Sequence, residues 1–449
     1  MRLGSLCLAA ALWLGASAMA APVEIGPDAM RRLAAEALAA GQVETAQALT
    51  RALLTRDPED ATALILAAEA AVRAEDWAGA ARLAAAAHGR VEGPARFRAA
   101  RLAAFALTQQ GRFTRAQIWL RRASPDAPDA AARTGLAADY RAVAARNPLA
   151  LRLGFGVAPS SNVNGGSRSE TLSLPGLPVE LELSGAARAL SGTAVTGSAG
   201  ARYGIAAPAL PGPAWIDLQA EGRGYLLSDS ARRQAPEARG ADFAQAALLL
   251  GLTQRFERPE MPIDLSVEVA RHWYGGDPYV DTLRFGLARP LLRQPRARLD
   301  LALAAQYSNR LDTGTDWWTP TLRLAWSQRL DNADGLGLSA RLRRQTGDAP
   351  DLAHDGLTLG IDYDVARPLG PARLGFGVEA EWRDYPESRY SLDGRQDAEL
   401  RLEGRVALPG QERYGFYPEI GIETRRSWSD VDLFDEEAAT LSLGLRSAF

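Results

Sequence analysis

"RLGFGVEAEW", Arg373 to Trp382, decides how the chain is read. Leu374, Phe376, Val378, Ala380 and Trp382 alternate with Gly375, Gly377, Glu379 and Glu381. A period of two puts the apolar set on one face of an extended strand and the carboxylates on the other. Glu379 and Glu381 need water beside them, while the opposite face needs an apolar neighbour. The texture recurs in "LRLGFGVA" (151–158), "RLDLALAAQYS" (298–308), "TLRLAWSQ" (321–328) and "AELRLEGRV" (398–406). From Leu149 onward about 14 such segments centre near residues 154, 199, 220, 248, 267, 286, 303, 324, 340, 360, 378, 401, 420 and 443, the second and fourth being the least regular.

A soluble sandwich also alternates, so three further features select a closed transmembrane barrel. Charged residues sit mid-strand on the polar face, at Asp217, Glu221, Glu268, Arg341, Glu379, Glu403 and Glu423. A hydrated lumen solvates them, and the apolar face meets lipid. The links also sort into two kinds. Short, mostly proline-rich ones (206–213, 256–262, 293–296, 331–335, 367–371, 409–412) alternate with longer polar ones (159–190, 228–241, 274–280, 311–318, 346–355, 384–396, 428–436). Short turns at one end and long loops at the other is the outer-membrane pattern. Finally, Tyr225, Trp273, Tyr274, Trp317, Trp318, Trp382, Tyr385 and Trp428 gather at the long-loop ends, where an interfacial girdle is expected.

The last segment, "TLSLGLRSAF" (Thr440–Phe449), follows the same rule. In a closed barrel it pairs with "LRLGFGVA", leaving no edge open. Leu443, Leu445 and the terminal aromatic Phe449 match the signal that barrel-assembly machinery reads. An even strand count puts both barrel ends on the short-turn side, so the preceding segment is expected in the periplasm.

That segment, 22–148, is alanine-rich with apolar spacings of three and four, the period of helices. "AAGQVETAQALTRALLTRDP", "VRAEDWAGAARLAAAAHG" and "TQQGRFTRAQIWLRRASP" align with one another. Gly41, Glu75 and Gly111 share one position, Val43, Trp77 and Phe113 a second, and Ala46, Ala80 and Ala116 a third, at spacings of 34 and 36. This is a tetratricopeptide-like pattern: a turn residue, a plug residue, and a small alanine where two helices approach. "DAAARTGLAADYRAVAAR" (129–146) suits a capping helix, and Asn147-Pro148 stops it. The expected fold is therefore an α-solenoid over 22–148 followed by a 14-stranded antiparallel transmembrane β-barrel over 149–449.

"MRLGSLCLAAALWLGASAMAAP" has a basic start, an apolar run and small residues ending at Ala20, which reads as a secretory signal over 1–20. The single cysteine, Cys7, falls inside it, so disulfides are excluded from the mature chain. The formal charge of −3 leaves no basic footprint for nucleic acid. All the fixed cations are arginine, since the chain has no lysine. His88, His272 and His354 are scattered, with no metal spacing. No phosphate loop, nucleophile elbow or cofactor fingerprint is present, so no catalytic, metal or cofactor residues are expected.

The whole arrangement resembles the surface lipoprotein assembly modifier (Slam) family, across nearly all of the mature chain. The most specific match is "GFGVAPSSNVNGG" (154–166), a glycine-rich first strand running into an Asp/Ser-Asn-x-Asn element. Ser161, Asn162 and Asn164 occupy it here, with Ser160 where aspartate is common. The resemblance implies export of surface lipoproteins or secreted scavenging proteins across the outer membrane. Its implied partners are the client, periplasmic chaperones, outer-membrane lipid and the barrel-assembly machinery. The alternative is a porin or exopolysaccharide-export channel with a periplasmic helical arm.

Overall fold

The computed structural model describes residues 25–173, 180–205, 211–258 and 261–447. The signal segment and Phe449 lie outside the described residues. Helices fill the chain up to Arg146, and a closed antiparallel β-barrel of 14 strands follows. The chain divides into two compact units, one ending at Arg112 and one beginning at Phe113.

The first unit contains α1 (Pro27–Ala39), α2 (Val43–Arg56), α3 (Ala61–Arg73), α4 (Trp77–His88) and α5 (Gly93–Gln109). Its core is built from small side chains: Ala34, Ala37, Leu38, Ala46, Leu66 and Ala70 form one buried cluster, and Ala71, Ala80 and Ala106 another. Alanine at these contacts lets helix backbones approach closely and has the lowest cost of ordering. Asp60 and Asp76 cap α3 and α4, accepting from the amides of Ala63 and Gly79 at 3.0 and 2.8 Å.

The three aligned turn residues share one backbone conformation: Gly41, Glu75 and Gly111 have φ of 76°, 59° and 72°. Each turn closes with the same two bonds. Gly41 N–H donates to Leu38 and Gln42 N–H to Ala37; Glu75 to Val72 and Asp76 to Ala71; Gly111 to Thr108 and Arg112 to Leu107. This is the Schellman stop, which favours glycine because a Cβ is strained at positive φ. Glu75 takes the conformation without that freedom. Ala46, Ala80 and Ala116 are fully buried, whereas the plug positions Trp77 and Phe113 are only half-buried.

The second unit opens with α6 (Phe113–Ala123) and α7 (Ala130–Arg146), and only Asn147-Pro148 separates α7 from the first strand. The barrel strands are β1 (Leu149–Ser160), β4 (Gly192–Ile205), β5 (Ala214–Leu227), β6 (Gln245–Phe256), β7 (Ile263–Tyr274), β8 (Asp277–Arg293) and β9 (Ala297–Arg310). They continue with β10 (Asp316–Arg329), β11 (Gly335–Gln345), β12 (His354–Asp364), β13 (Arg373–Tyr385), β14 (Arg395–Ala407), β15 (Phe416–Ser429) and β16 (Glu436–Ser447). Each pairs with its sequence neighbour, and β1 closes the ring against β16. That seam is thinly registered, at Gly156↔Gly444, Val157↔Leu443 and Ser160↔Thr440. Pro159, which has no N–H to donate, interrupts it.

The outward faces are apolar and bare. Leu153 and Phe155 on β1 are 76% and 61% exposed, and Leu443 and Leu445 on β16 are 57% and 60% exposed. An apolar surface continuing around a whole barrel fits hydrocarbon rather than water. No helix among the described residues is long and apolar enough to cross a membrane, so the strands are the spanning elements.

Two details correct the sequence reading. Trp318, Trp382 and Trp428 point outward at the long-loop end and are 46%, 43% and 45% exposed, as a girdle requires. Trp317 and Tyr385 have the opposite parity, and Tyr385 is buried. Tyr225 packs with Val163, Leu190 and Leu227 under the loops. A shift of one residue reverses the face, which clustering in sequence does not reveal. The expected long loop at 274–280 is instead a two-residue turn, Gly275-Gly276, both at positive φ, with β7 and β8 running up to it. The first long loop adds a two-stranded sheet of β2 (Thr171–Ser173) and β3 (Glu180–Glu182), and the loop after β5 adds the short helix α8 (Asp229–Gln234).

Candidate functional site

The register places every mid-strand charge singled out in the sequence on the luminal face: Asp217, Glu221, Glu268, Arg341, Glu379, Glu403 and Glu423 share parity with Gly154 of β1 through successive strand pairs. The lumen has two unlike walls.

Along β12–β16 most luminal arginines are matched by acids; Arg373, at the short-turn end of β13, is the exception among the described residues. Arg383 lies 3.5 Å from Glu399, and Arg401 lies 3.1 Å from Glu399 with Glu379 and Glu423 at 3.8 and 3.9 Å. Arg405 reaches Glu403 at 3.3 Å and Arg425 reaches Glu436 at 2.9 Å. Arg395 is the most enclosed. It is 5% exposed, reaches Asp351 at 3.2 Å, and sits between the rings of Tyr385 and Phe434 at 3.9 and 3.6 Å from their centroids. Its Nε is 3.1 Å from Asp397 Oδ1, near enough for an ion pair though off the line of a hydrogen bond. Asp351, at φ 64°, also accepts from the Ser388 hydroxyl at 2.7 Å and the Arg389 amide at 3.0 Å. This network ties two long loops to the rim of the barrel.

The wall along β4–β11 borders a cavity of about 1720 Å³. Small and polar side chains line much of it, among them Thr196, Ser198, Ala302, Ala304 and Gln306. Its charged lining comprises six arginines and three carboxylates. Arg310 is held by Asp312 at 2.7 Å, and Arg343 by Glu381 at 2.5 Å. Among the described residues, Arg223, Arg284, Arg323 and Arg341 make no side-chain hydrogen bond, ion pair or ring contact. Arg323 and Arg341 are moreover Cα partners across β10 and β11. The signal for this was in the sequence: the short turn at 331–335 fixes the hairpin register, and that register sets 323 against 341.

The "SSNVN" element forms a clasp at the barrel seam. Ser161 exchanges two bonds with Ala439, its amide donating to the carbonyl at 3.0 Å and its Oγ accepting from the amide at 2.9 Å. Buried Asn162 donates to the Gly166 carbonyl at 2.9 Å and accepts from the Gly166 amide at 3.0 Å. Asn164 accepts from the Leu190 amide at 2.8 Å and donates to Ala186 and Arg188 carbonyls, both at 2.9 Å. The two asparagines therefore close the first long loop on itself, and Ser161 fastens it to β16.

At the other end, α6 grips the turn before β15. Arg121 donates to the Gly415 carbonyl at 3.1 Å, to Tyr140 Oη at 3.1 Å and to Ser447 Oγ at 3.1 Å, and its guanidinium lies 4.5 Å from the Phe416 ring centroid. Ser124 donates to Glu412, whose other contact is the Gly415 amide at 2.7 Å. The α6–α7 hairpin is thus part of the barrel's own framework at its short-turn end. Among the described residues no group of three or more His, Cys, Asp or Glu is placed to hold a metal.

A closed ring of 14 antiparallel strands, an outward apolar belt and a charged lumen give this chain the build of an outer-membrane β-barrel. No protein-family model matches the sequence, and no curated protein matches it. Among solved structures it is similar to OmpT, an outer membrane protein of Vibrio cholerae, at 6% identity and a TM-score of 0.36, over 67% of this chain and 98% of that one. It is likewise similar to OccAB4 of Acinetobacter baumannii, at 8% identity and a TM-score of 0.33, over 66% of this chain and 98% of that one. A third is OccK9 of Pseudomonas aeruginosa, at 11% identity and a TM-score of 0.35, over 66% of this chain and 97% of that one.

Proposed function

We propose that the protein is an outer-membrane translocator of the surface lipoprotein assembly modifier type. In this reading it delivers specific lipoproteins or secreted scavenging proteins to the cell surface. The tetratricopeptide-like helices stand in the periplasm and engage the client or its chaperone. The chain supplies a route and a docking platform, with no catalytic residue or cofactor.

The observation that carries the proposal is the junction. The α6–α7 hairpin is bonded through Arg121 and Ser124 to the short-turn end of the barrel, with two residues between helix and strand. Short turns of outer-membrane barrels face the periplasm. A rigid helical mount there suits a protein that must receive something before it crosses. Phe105 on α5 is 46% exposed beside Trp77, with ring centroids 5.9 Å apart, and offers an apolar contact to an extended segment.

Deleting the gene and shaving intact cells with protease tests this. Loss of one or a few surface proteins, restored by the intact gene, supports translocation. A second reading, a solute or exopolysaccharide channel, draws on the 1720 Å³ cavity and its small polar lining. Unchanged surface proteins with altered solute uptake or lost polysaccharide would move the assignment there.

A further inference from the structure

We propose that the unpaired arginines of the β4–β11 wall form a binding site for a multivalent anion whose charge is carried by phosphate or carboxylate groups. The inference stands apart from the translocation reading, because it concerns the lumen whatever passes through it.

The paired wall supplies the internal standard. There, every luminal arginine named above except Arg373 has a carboxylate within 4 Å. Arg223, Arg284, Arg323 and Arg341 border one cavity and have no such partner among the described residues. Two like charges directly opposite on neighbouring strands destabilise a sheet. Arg323 and Arg341 are so placed, with no ion pair among the described residues to offset the repulsion. Carboxylates are not simply scarce nearby. Glu221 and Asp277 border the same cavity, and Glu268 is the Cα partner of Arg284, yet none of them forms an ion pair with these four arginines. Two guanidiniums side by side offer parallel N–H forks, which match the oxygens of a phosphate or carboxylate. The flanking positions Ala302 and Ala304 leave room over the pair, and Arg284 two strands away adds a further fork to the same cavity.

The test is calorimetric titration of the purified full-length protein in detergent with inorganic tripolyphosphate and, separately, with citrate. The two arms tell phosphate from carboxylate. Wild type should bind at least one of them saturably, with affinity falling as salt rises. R323Q/R341Q should lose about tenfold or more. R323K/R341K, which keeps the charge and removes the forks, should fall between. R329Q is the control: Arg329 has luminal parity on β10 but does not border the cavity. Strand circular dichroism checks folding, and the single variants R323Q and R341Q carry the test if the double one does not fold. Absence of binding by wild type, equal binding by R323Q/R341Q, or an equal loss in R329Q would overturn the proposal, the last by showing a diffuse field rather than a site.

Discussion

The two walls of the lumen use one residue type in two ways. On β12–β16, arginine is a structural cation. Arg395 is buried, stacked between two rings and ringed by Asp351 and Asp397. On β10–β11, Arg323 and Arg341 face each other across a hairpin and form no ion pair among the described residues. The chain has no lysine, so the contrast is one of placement rather than side-chain choice. A barrel closes by backbone hydrogen bonds and lipid-facing apolar surface, which leaves its luminal charges free either to stiffen loops or to await a ligand.

The comparison can be broken most sharply at Arg395. Arg395→Gln removes the nearest cation from Asp351 and Asp397, leaving them only Arg389 at 3.5 Å and Arg383 at 4.0 Å. Losing one member of a buried pair typically costs about 3–5 kcal/mol. Urea unfolding followed by tryptophan fluorescence should show that loss, and proteolysis should become easier in the loops at 346–353 and 386–394. A change under about 1 kcal/mol would mean the paired wall is no more structural than the other.

The helical unit extends the contrast to a smaller scale. Arg31 clamps Asp60 at 2.9 and 2.8 Å while Asp60 caps α3. Burial pushes the Asp60 carboxyl up, but the Arg31 hydrogen bond and the Ala63 amide outweigh it and hold it below the ordinary aspartate value. The folded form is thus favoured by the ionised carboxylate. That contribution is complete above the unfolded aspartate pKa of about 3.9 and is lost as pH falls through the depressed folded value. Asp60→Ala should cost about 2 kcal/mol near neutral pH, from the cap and the ion pair together. The difference from wild type should shrink in acid, and a pH-independent difference would contradict the account.

The smallest effect has the opposite sign. Arg323→Glu places an acid against Arg341 and should stabilise the barrel by roughly 0.5–1 kcal/mol. It should also abolish tripolyphosphate binding, and a destabilised barrel would show that Arg323 has a structural partner after all.

Much of this was legible in the sequence. The alternation in "RLGFGVEAEW" located β13, and the segment expected near 340 is β11, Gly335–Gln345. The turn shared by Gly41, Glu75 and Gly111 also shows in the structure, as three identical hydrogen-bond pairs. What escaped was cross-strand. Tyr385 turns inward because its parity, set by pairing with Arg395, differs by one from that of Trp382. Gly275-Gly276 closes a tight hairpin where aromatic and polar residues suggested a long loop. Whether an arginine is paired depends on which strand lies beside it and at what register. Local periodicity does not contain that, although the short turn before β11 did fix the Arg323–Arg341 pairing.

The most direct measurement is the urea midpoint of wild type, R395Q and R323Q/R341Q, each with and without saturating tripolyphosphate, or citrate where that is the anion wild type binds. A ligand that binds only the folded state raises its stability. If the two walls differ as described, R395Q starts lower yet rises with the anion as wild type does, while R323Q/R341Q starts level with or slightly above wild type, its like-charge repulsion gone, and does not respond. An anion response that survives in R323Q/R341Q, or that vanishes in R395Q while its barrel remains folded, would contradict the division of the lumen into a structural wall and a binding wall.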